Sequence, residues 1–277
     1  MIYFWQQVYN FCQQITFRLG DKLLEDFAKV EPTRKADGSL VTEADKWADL
    51  EIRTNLKRCF PTHGVLTEET AHVLPLNDWC WVIDPIDGTT NFTRGLPIWG
   101  ISIGLLFRGT PVFGFVHFPQ IRQTYHGYYY GDTGLSGPKG AFLNGELIYT
   151  SNADPSQNHI FTLCARSTDV LKQDFPCKIR LTGVASYNLL LVACGASLGA
   201  VEATPKIWDI AGAYPILKGA GGDLLALEPQ PIFPLPLGVD YGSRGFPSLA
   251  VADSRLVNEF KPLVEFIGRR ALLSMNT

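Results

Sequence analysis

From Trp81 to Phe92 the chain reads Trp-Val-Ile-Asp-Pro-Ile-Asp-Gly-Thr-Thr-Asn-Phe, and this run narrows the possible folds more than any other segment. Trp81 to Ile83 are continuous, apolar and rich in β-branched residues, which predicts a short buried strand. Asp84 stands at its carboxyl end, and Pro85, lacking a backbone donor, is expected to stop the strand. Asp87 and Gly88 turn the chain, since Gly accepts backbone angles and close approaches that other residues do not. Thr89-Thr90-Asn91 then reads as a helix start, where free N–H groups favour an anion. Carboxylates suited to a hard divalent cation therefore lie beside amides suited to a phosphate, the pairing that metal-assisted phosphate chemistry requires. An acidic turn would explain any one of these residues. It does not explain two acids bracketing Pro-Ile at the mouth of a buried strand.

With 277 residues the chain can bury a large core. We read residues 1–277 as a single domain of two lobes, about 1–150 and about 151–277. At 46% hydrophobic and 18% charged residues it is an ordinary globular composition. A net charge of −3, without a long basic run, argues against a nucleic-acid surface. The six cysteines (Cys12, Cys59, Cys80, Cys164, Cys177, Cys194) show neither C-x-x-C pairing nor zinc spacing. They are expected to be buried free thiols, in keeping with a reducing cytoplasm. The apolar start is interrupted by Gln6, Gln7, Asn10, Gln13 and Gln14, so neither a signal peptide nor a membrane span is expected.

Apolar spacing predicts a helix over 3–28, ended by Glu31-Pro32, and a second helix from about Thr42 to Cys59. Thr42 and Asp45 resemble a capping box with Asp in place of Glu. Two strands are expected around Arg108-Gly109-Thr110-Pro111, followed by a Gly-rich hairpin reaching Gly145. Beyond Ser151 we expect strands at 160–165, 201–203 and 248–252, and helices at 187–194, 209–218 and about 254–267. Pro215 should kink the middle one. The Pro/Gly-rich stretch 229–246 reads as a surface loop.

The Asp84 run resembles the signature of the inositol monophosphatase family of magnesium-dependent, lithium-sensitive phosphatases. That pattern is Asp-Pro-Ile-Asp-Gly-Thr, a small or polar residue, then Asn-Phe. Trp208-Asp209-Ile210-Ala211-Gly212-Ala213, followed by Gly221-Gly222, is similar to a second family signature. Asp37-Gly38-Ser39-Leu40-Val41-Thr42-Glu43-Ala44-Asp45 is similar to a looser third. The resemblance implies an α+β fold, a layered α/β/α/β/α sandwich of the inositol monophosphatase and fructose-1,6-bisphosphatase type. It also implies a homodimer and about two to three Mg²⁺ ions per site.

By the same resemblance Asp84 bridges two metals. Glu68 and the Ile86 carbonyl serve the first, and Asp87 and Asp209 the second. Thr89, with Glu68, is implied to orient a metal-activated water for in-line attack on phosphorus, and Asp45 supports Thr89. The Gly88 and Thr89 amides would hold the phosphate, while Ala185, Glu202 and Asp209 would line the substrate pocket. Taken singly, Asp209 or Thr89 could be a helix cap, and Glu68 or Glu202 a solvated acid. The departures from the family pattern are Thr67 in place of Gly, and Ser186 and Tyr187 in place of smaller or aliphatic residues. Arg34 or Lys35 is expected to meet the phosphate or a metal-bound anion. The activity implied is hydrolysis of a small phosphate ester, inositol monophosphate first, with histidinol phosphate or fructose 1,6-bisphosphate as alternatives. A catalytically silent binding protein is the remote alternative.

Overall fold

The structure is a computed structural model that describes residues 2–35, 38, 40–172 and 174–268. Ala36, Asp37 and Ser39 of the upstream sequence element lie outside the described residues. Helix α1 (Ile2–Asp26) buries Trp5, Val8, Cys12, Ile15, Leu19 and Leu23, the inward stripe that the apolar spacing predicts. It ends before Glu31-Pro32. Ala28 adopts φ +59°, and its N–H is given to the Phe92 carbonyl at 3.1 Å, so the chain leaves the helix to dock elsewhere.

A small ribbon, β1 (Thr33–Arg34) with β2 (Leu40–Val41), leads into α2 (Glu43–Cys59). Thr42 caps α2 reciprocally. Its side chain accepts from the Asp45 amide, and Asp45 Oδ2 accepts from Thr42 N at 2.7 Å. Asp thus performs the task usually given to Glu.

The larger sheet runs in chain order: β3 (Gly64–Thr67), β4 (Trp79–Asp87), β5 (Gly100–Phe107), β6 (Thr110–Phe118), β7 (Gln123–Tyr128), β8 (Gly140–Leu143) and β9 (Glu146–Ile148). Only its β3–β4 pair is parallel. Helix α3 (Thr89–Arg94) follows β4. The second sheet contains β10 (Ile160–Leu163), β11 (Lys178–Arg180), β12 (Gly199–Glu202), β13 (Asp223–Ala226) and β14 (Ser248–Val251), in the order β11-β10-β12-β14-β13. Helices α4 (Ala185–Ala193), α5 (Ile207–Ala211) and α6 (Ala213–Gly219) contact both sheets between them, and α7 (Val257–Val264) packs on β14. With α1 and α2 against the first sheet, this is the layered α+β sandwich.

Strand periodicity positions the site. Trp81 and Ile83 join the core under α1 and α2, whereas Cys80 and Val82 join the core on the opposite face. The next residue of that second set is Asp84, which therefore points into the layer holding α5. The inner helices lie almost on the strands. A Cβ on Gly114 would sit 1.8 Å from the Gly212 carbonyl oxygen, so only glycine permits this approach.

Three expectations are corrected. Pro85 does not stop the strand. β4 continues to Asp87 with an irregular register between Asp84 and Asp87, and this bulge absorbs a residue without an N–H. The 209–218 helix is not one kinked at Pro215 but two, divided at Gly212, with Pro215 in the first turn of α6, where a missing donor costs little. The 229–246 stretch is not merely a surface loop, because Ile232, Leu235, Tyr241 and Phe246 are buried in the core. The last helical region begins as a 3₁₀ turn, Ser254–Leu256, before α7. Among the described residues no helix is long and apolar enough to cross a membrane.

Candidate active site

The acidic end of β4 is built by local turns. Asp84 Oδ1 accepts the Ile86 amide at 3.0 Å, which fixes the bulge. Gly88 follows at φ +94°, a left-handed conformation in which a side chain would also strike Val184. Helix α3 starts at Thr89. The Thr89 hydroxyl lies 3.1 Å from Asp45 Oδ1 and 3.1 Å from the Ile86 carbonyl oxygen, with one proton to give. Asp45 therefore has two duties, since its other oxygen caps α2.

Glu68 comes from the parallel neighbour β3. Its amide donates to the Ile83 carbonyl at 3.1 Å, continuing the ladder and bringing its carboxyl beside Asp84. Thr67, where the family pattern has Gly, is buried, and its hydroxyl lies 3.1 Å from that of Thr70, steadying the turn. Lys35 bridges Glu68 Oε1 at 2.9 Å and Glu69 Oε1 at 2.7 Å, whereas Arg34 is exposed and bonds to the Gly38 carbonyl.

Asp209 enters from the second half of the chain. It occupies the third position of α5, and its Oδ2 accepts the Lys206 amide at 2.7 Å, so Lys206 and not Asp209 is the N-cap. Asp84, Asp87 and Asp209 each bring one carboxylate oxygen within 4.8 Å of the others. Glu68 is not part of that trio but lies against Asp84.

Burial and mutual repulsion push these groups toward their neutral forms. Burial raises Asp84 well above the usual carboxylate range, and the charges of Glu68, Asp87 and Asp209 add to it. Asp209 is raised for the same reasons, although the residue as a whole is only part-buried. Burial lifts Asp87 to about 6, against the hydrogen bond from the Ser186 amide. Glu68 is raised by burial, and Lys35 opposes the shift.

The α4 start closes the other side. The Ser186 amide donates to Asp87 Oδ2 at 2.9 Å, and the Ala185 amide also faces Asp87. Asn91 of the signature run clamps this region, donating from Nδ2 to the carbonyls of Ile98 (2.8 Å) and Thr182 (2.9 Å). A cavity of about 340 Å³ opens here, lined by Asp87, Asp209, Glu202, Asn188, Cys164 and Arg166 among others. Glu202 Oε1 accepts from Asn188 Nδ2 at 2.7 Å, and burial lifts Glu202 to about 7.

Sequence reading missed three parts of this site. His72 meets the Glu68 carbonyl through Nε2 at 2.7 Å and stacks on Trp208 at 5.4 Å, joining the Glu68 loop to α5. Cys164 and Arg166 line the cavity. A lone His in a loop, or an Arg in the short 3₁₀ helix Ala165–Lys172, carries no sequence signal for such a place. The register of β10 beside β12, which sets Cys164 next to Glu202, could have located Cys164.

The sequence model of the inositol monophosphatase family matches residues 5–261. An inositol-1-monophosphatase of Synechocystis is 34% identical over 227 residues, covering 77% of this chain and 76% of the relative. A histidinol-phosphatase of Chlorobaculum parvum is 32% identical over 228 residues, covering 76% and 82%. Among solved structures, an IMPase of Thermotoga maritima superposes with a TM-score of 0.78 at 25% identity, covering 95% of this chain and 98% of the other.

Proposed function

We propose a substrate and a set of residue roles for this protein, which belongs to the inositol monophosphatase family and is a phosphoric monoester hydrolase. The substrate we assign is a small polyol phosphate, inositol monophosphate. The observation that carries this reading is the convergence of Asp84, Asp87 and Asp209 beside a cavity that Asp87, Asp209 and Glu202 line. A hydroxyl-rich ligand offers the donors that a carboxylate accepts.

The donor set fits a hard divalent cation. It consists of oxygens alone, crowded until burial and repulsion favour protonation, and a cation relieves both costs. Asp84, Asp87 and Asp209 would hold Mg²⁺, with Glu68 and the Ile86 carbonyl available beside them. Bound there, Mg²⁺ would offset phosphate charge and acidify water. The chain's own residues do the rest. Thr89, pinned between Asp45 and the Ile86 carbonyl, presents a hydroxyl at a fixed place next to the carboxylates. Gly88 and Thr89 offer amides at the start of α3 for the phosphate oxygens. Glu68, paired with Lys35 at 2.9 Å and beside Asp84, would orient the attacking water together with Thr89. Glu202 accepts from the substrate's hydroxyls.

Arg166 favours a second reading. It is a cation on the rim of an otherwise acidic cavity, which suits a substrate with a second anionic group, such as fructose 1,6-bisphosphate. Histidinol phosphate, with its ammonium group, fits Arg166 less well.

A homodimer is supported by an apolar depression of about 420 Å³ beside Leu96 and Leu181, both about half exposed. The six cysteines are free thiols, though Cys59 is exposed and Cys164 and Cys194 only part-buried where burial was expected, and free thiols suit a cytoplasmic location.

Phosphate release from inositol 1-phosphate, fructose 1,6-bisphosphate and histidinol phosphate, with Mg²⁺ and then with chelator, tests the assignment. The reading requires the inositol ester to be preferred and chelation to stop release. Release that survives chelation, or a clear preference for another ester, would remove it.

A further inference from the structure

Glu202 and Cys164 sit on neighbouring parallel strands. Leu163 pairs with Val201, and the Cys164 amide donates to the Val201 carbonyl at 3.2 Å, so the next side chain along β12 is Glu202. Both side chains line the same cavity. The thiol lies against the Glu202 carboxylate.

The hydrogen-bond inventory around the sulfur is informative. A thiol has one hydrogen to give and sulfur lone pairs to receive. The Ala203 amide donates to Cys164 Sγ at 3.3 Å, and the Arg166 amide also faces it. The Ser167 hydroxyl, itself buried, lies 2.9 Å from the sulfur. With the two amides directed at the sulfur, the S–H has two acceptors within reach, the Ser167 hydroxyl and the Glu202 carboxylate, and the carboxylate is the stronger. On its other side Glu202 receives Asn188 Nδ2 at 2.7 Å, and Asn188 Oδ1 in turn accepts the Thr182 hydroxyl at 2.7 Å. Glu202 is therefore held from two sides by donors that are each held themselves.

We infer that Cys164 is a positioning residue for substrate choice: its thiol, with Asn188, fixes the Glu202 carboxylate at the angle from which it accepts the hydroxyls of a polyol phosphate. The inference rests on the reading of Glu202 as the substrate-facing acid. Cys164 need not touch substrate. It acts by denying Glu202 the alternative of turning away, the service that a well-supported side chain needs in order to discriminate. A reactive-thiol role is not part of it, because burial raises the Cys164 thiol and so disfavours the thiolate.

The test compares inositol 1-phosphate with a small aryl phosphate, measuring KM and kcat for the Mg²⁺-loaded wild type, Cys164→Ala, Cys164→Ser, Glu202→Ala and the double variant Cys164→Ala/Glu202→Ala. In Cys164→Ala the ratio of the two KM values should shift against the inositol ester by roughly threefold to tenfold, the size of one ordinary lost hydrogen bond. Cys164→Ser, which keeps a donor, should restore the ratio. The double variant should be no more impaired in that ratio than Glu202→Ala alone, since Cys164 acts through Glu202. An unchanged ratio in Cys164→Ala, or no rescue by serine, overturns the role of Cys164 while leaving Glu202 intact. If Glu202→Ala itself leaves the ratio unchanged, both fall together, and that pattern separates the two failures.

Discussion

At the end of β4, Asp84 meets the negative charges of Glu68, Asp87 and Asp209. Across the cavity, Glu202 rests between the Asn188 amide and the Cys164 thiol. Both walls bury carboxylates that accept donors from the chain, but only in the first do several acids crowd one another. In the function we propose, a divalent cation balances the first wall and the second receives the substrate's hydroxyls. On that proposal one wall serves the reacting phosphate and the other the part of the substrate that does not react. The proposal accounts for how a chain with a net charge of −3 would admit an anionic ester: a cation at its most crowded carboxylates would reverse the local sign.

That contrast can be broken in four ways. Asp84→Asn removes the carboxylate at the centre of the crowded wall, and turnover should fall by roughly 1000-fold while the fold survives. Steady-state phosphate release and circular dichroism check this, and near-normal turnover would show that the acidic wall is not the catalytic one.

The second way is pH. The folded Asp87 titrates at about 6, above its ordinary 3.8, so the folded state binds protons more tightly than the unfolded one. Stability is therefore greatest below the ordinary value and is lost as pH rises through 6. Asp84 and Asp209, raised for the same reason, extend the loss to higher pH. Metal-free protein should lose stability on the order of 2 kcal/mol between pH 4 and pH 7, and saturating Mg²⁺ should flatten the slope. Urea unfolding across that range decides it. A slope indifferent to Mg²⁺ would mean that the crowding is relieved by other means.

The third way addresses the prepared wall. Glu202→Ala should raise the KM for inositol 1-phosphate by roughly tenfold, and by less for an aryl phosphate. Equal effects on both esters would make Glu202 structural. The fourth and smallest is Thr42→Ala, which removes the cap on α2 and one hold on Asp45. It should cost about 1 kcal/mol of stability, read from thermal unfolding. If it lowers turnover more than Glu202→Ala does, the acidic wall depends on its neutral supports as much as the other wall does.

The two walls also differ in how far the sequence revealed them. The Asp84 run was legible because strand, glycine turn and helix start are consecutive and local rules govern each, whereas the bulge that carries β4 through Pro85 was not foreseen. The Thr42–Asp45 cap was legible for the same reason. What escaped was assembled from distant segments. His72 stacking on Trp208, and Cys164 beside Glu202, are products of strand register and helix docking rather than of spacing along the chain. The break at Gly212 was hidden behind Pro215, because a proline announces itself in sequence, whereas a glycine pressed against Ser102 of β5 shows its reason only in the fold. Likewise Tyr241 and Phe246 lie in a stretch whose prolines and glycines suggest exposure, yet they are buried in the core.

The central claim is that Asp84, Asp87 and Asp209 form a divalent-cation site. Calorimetric titration of Mg²⁺ into chelator-treated protein near pH 7, for wild type and Asp209→Asn, tests it most directly. The account predicts saturable binding to the wild type with release of protons from the crowded carboxyls, and at least tenfold weaker binding in the variant. Equal affinity in the two proteins, or no proton release from the wild type, would contradict it.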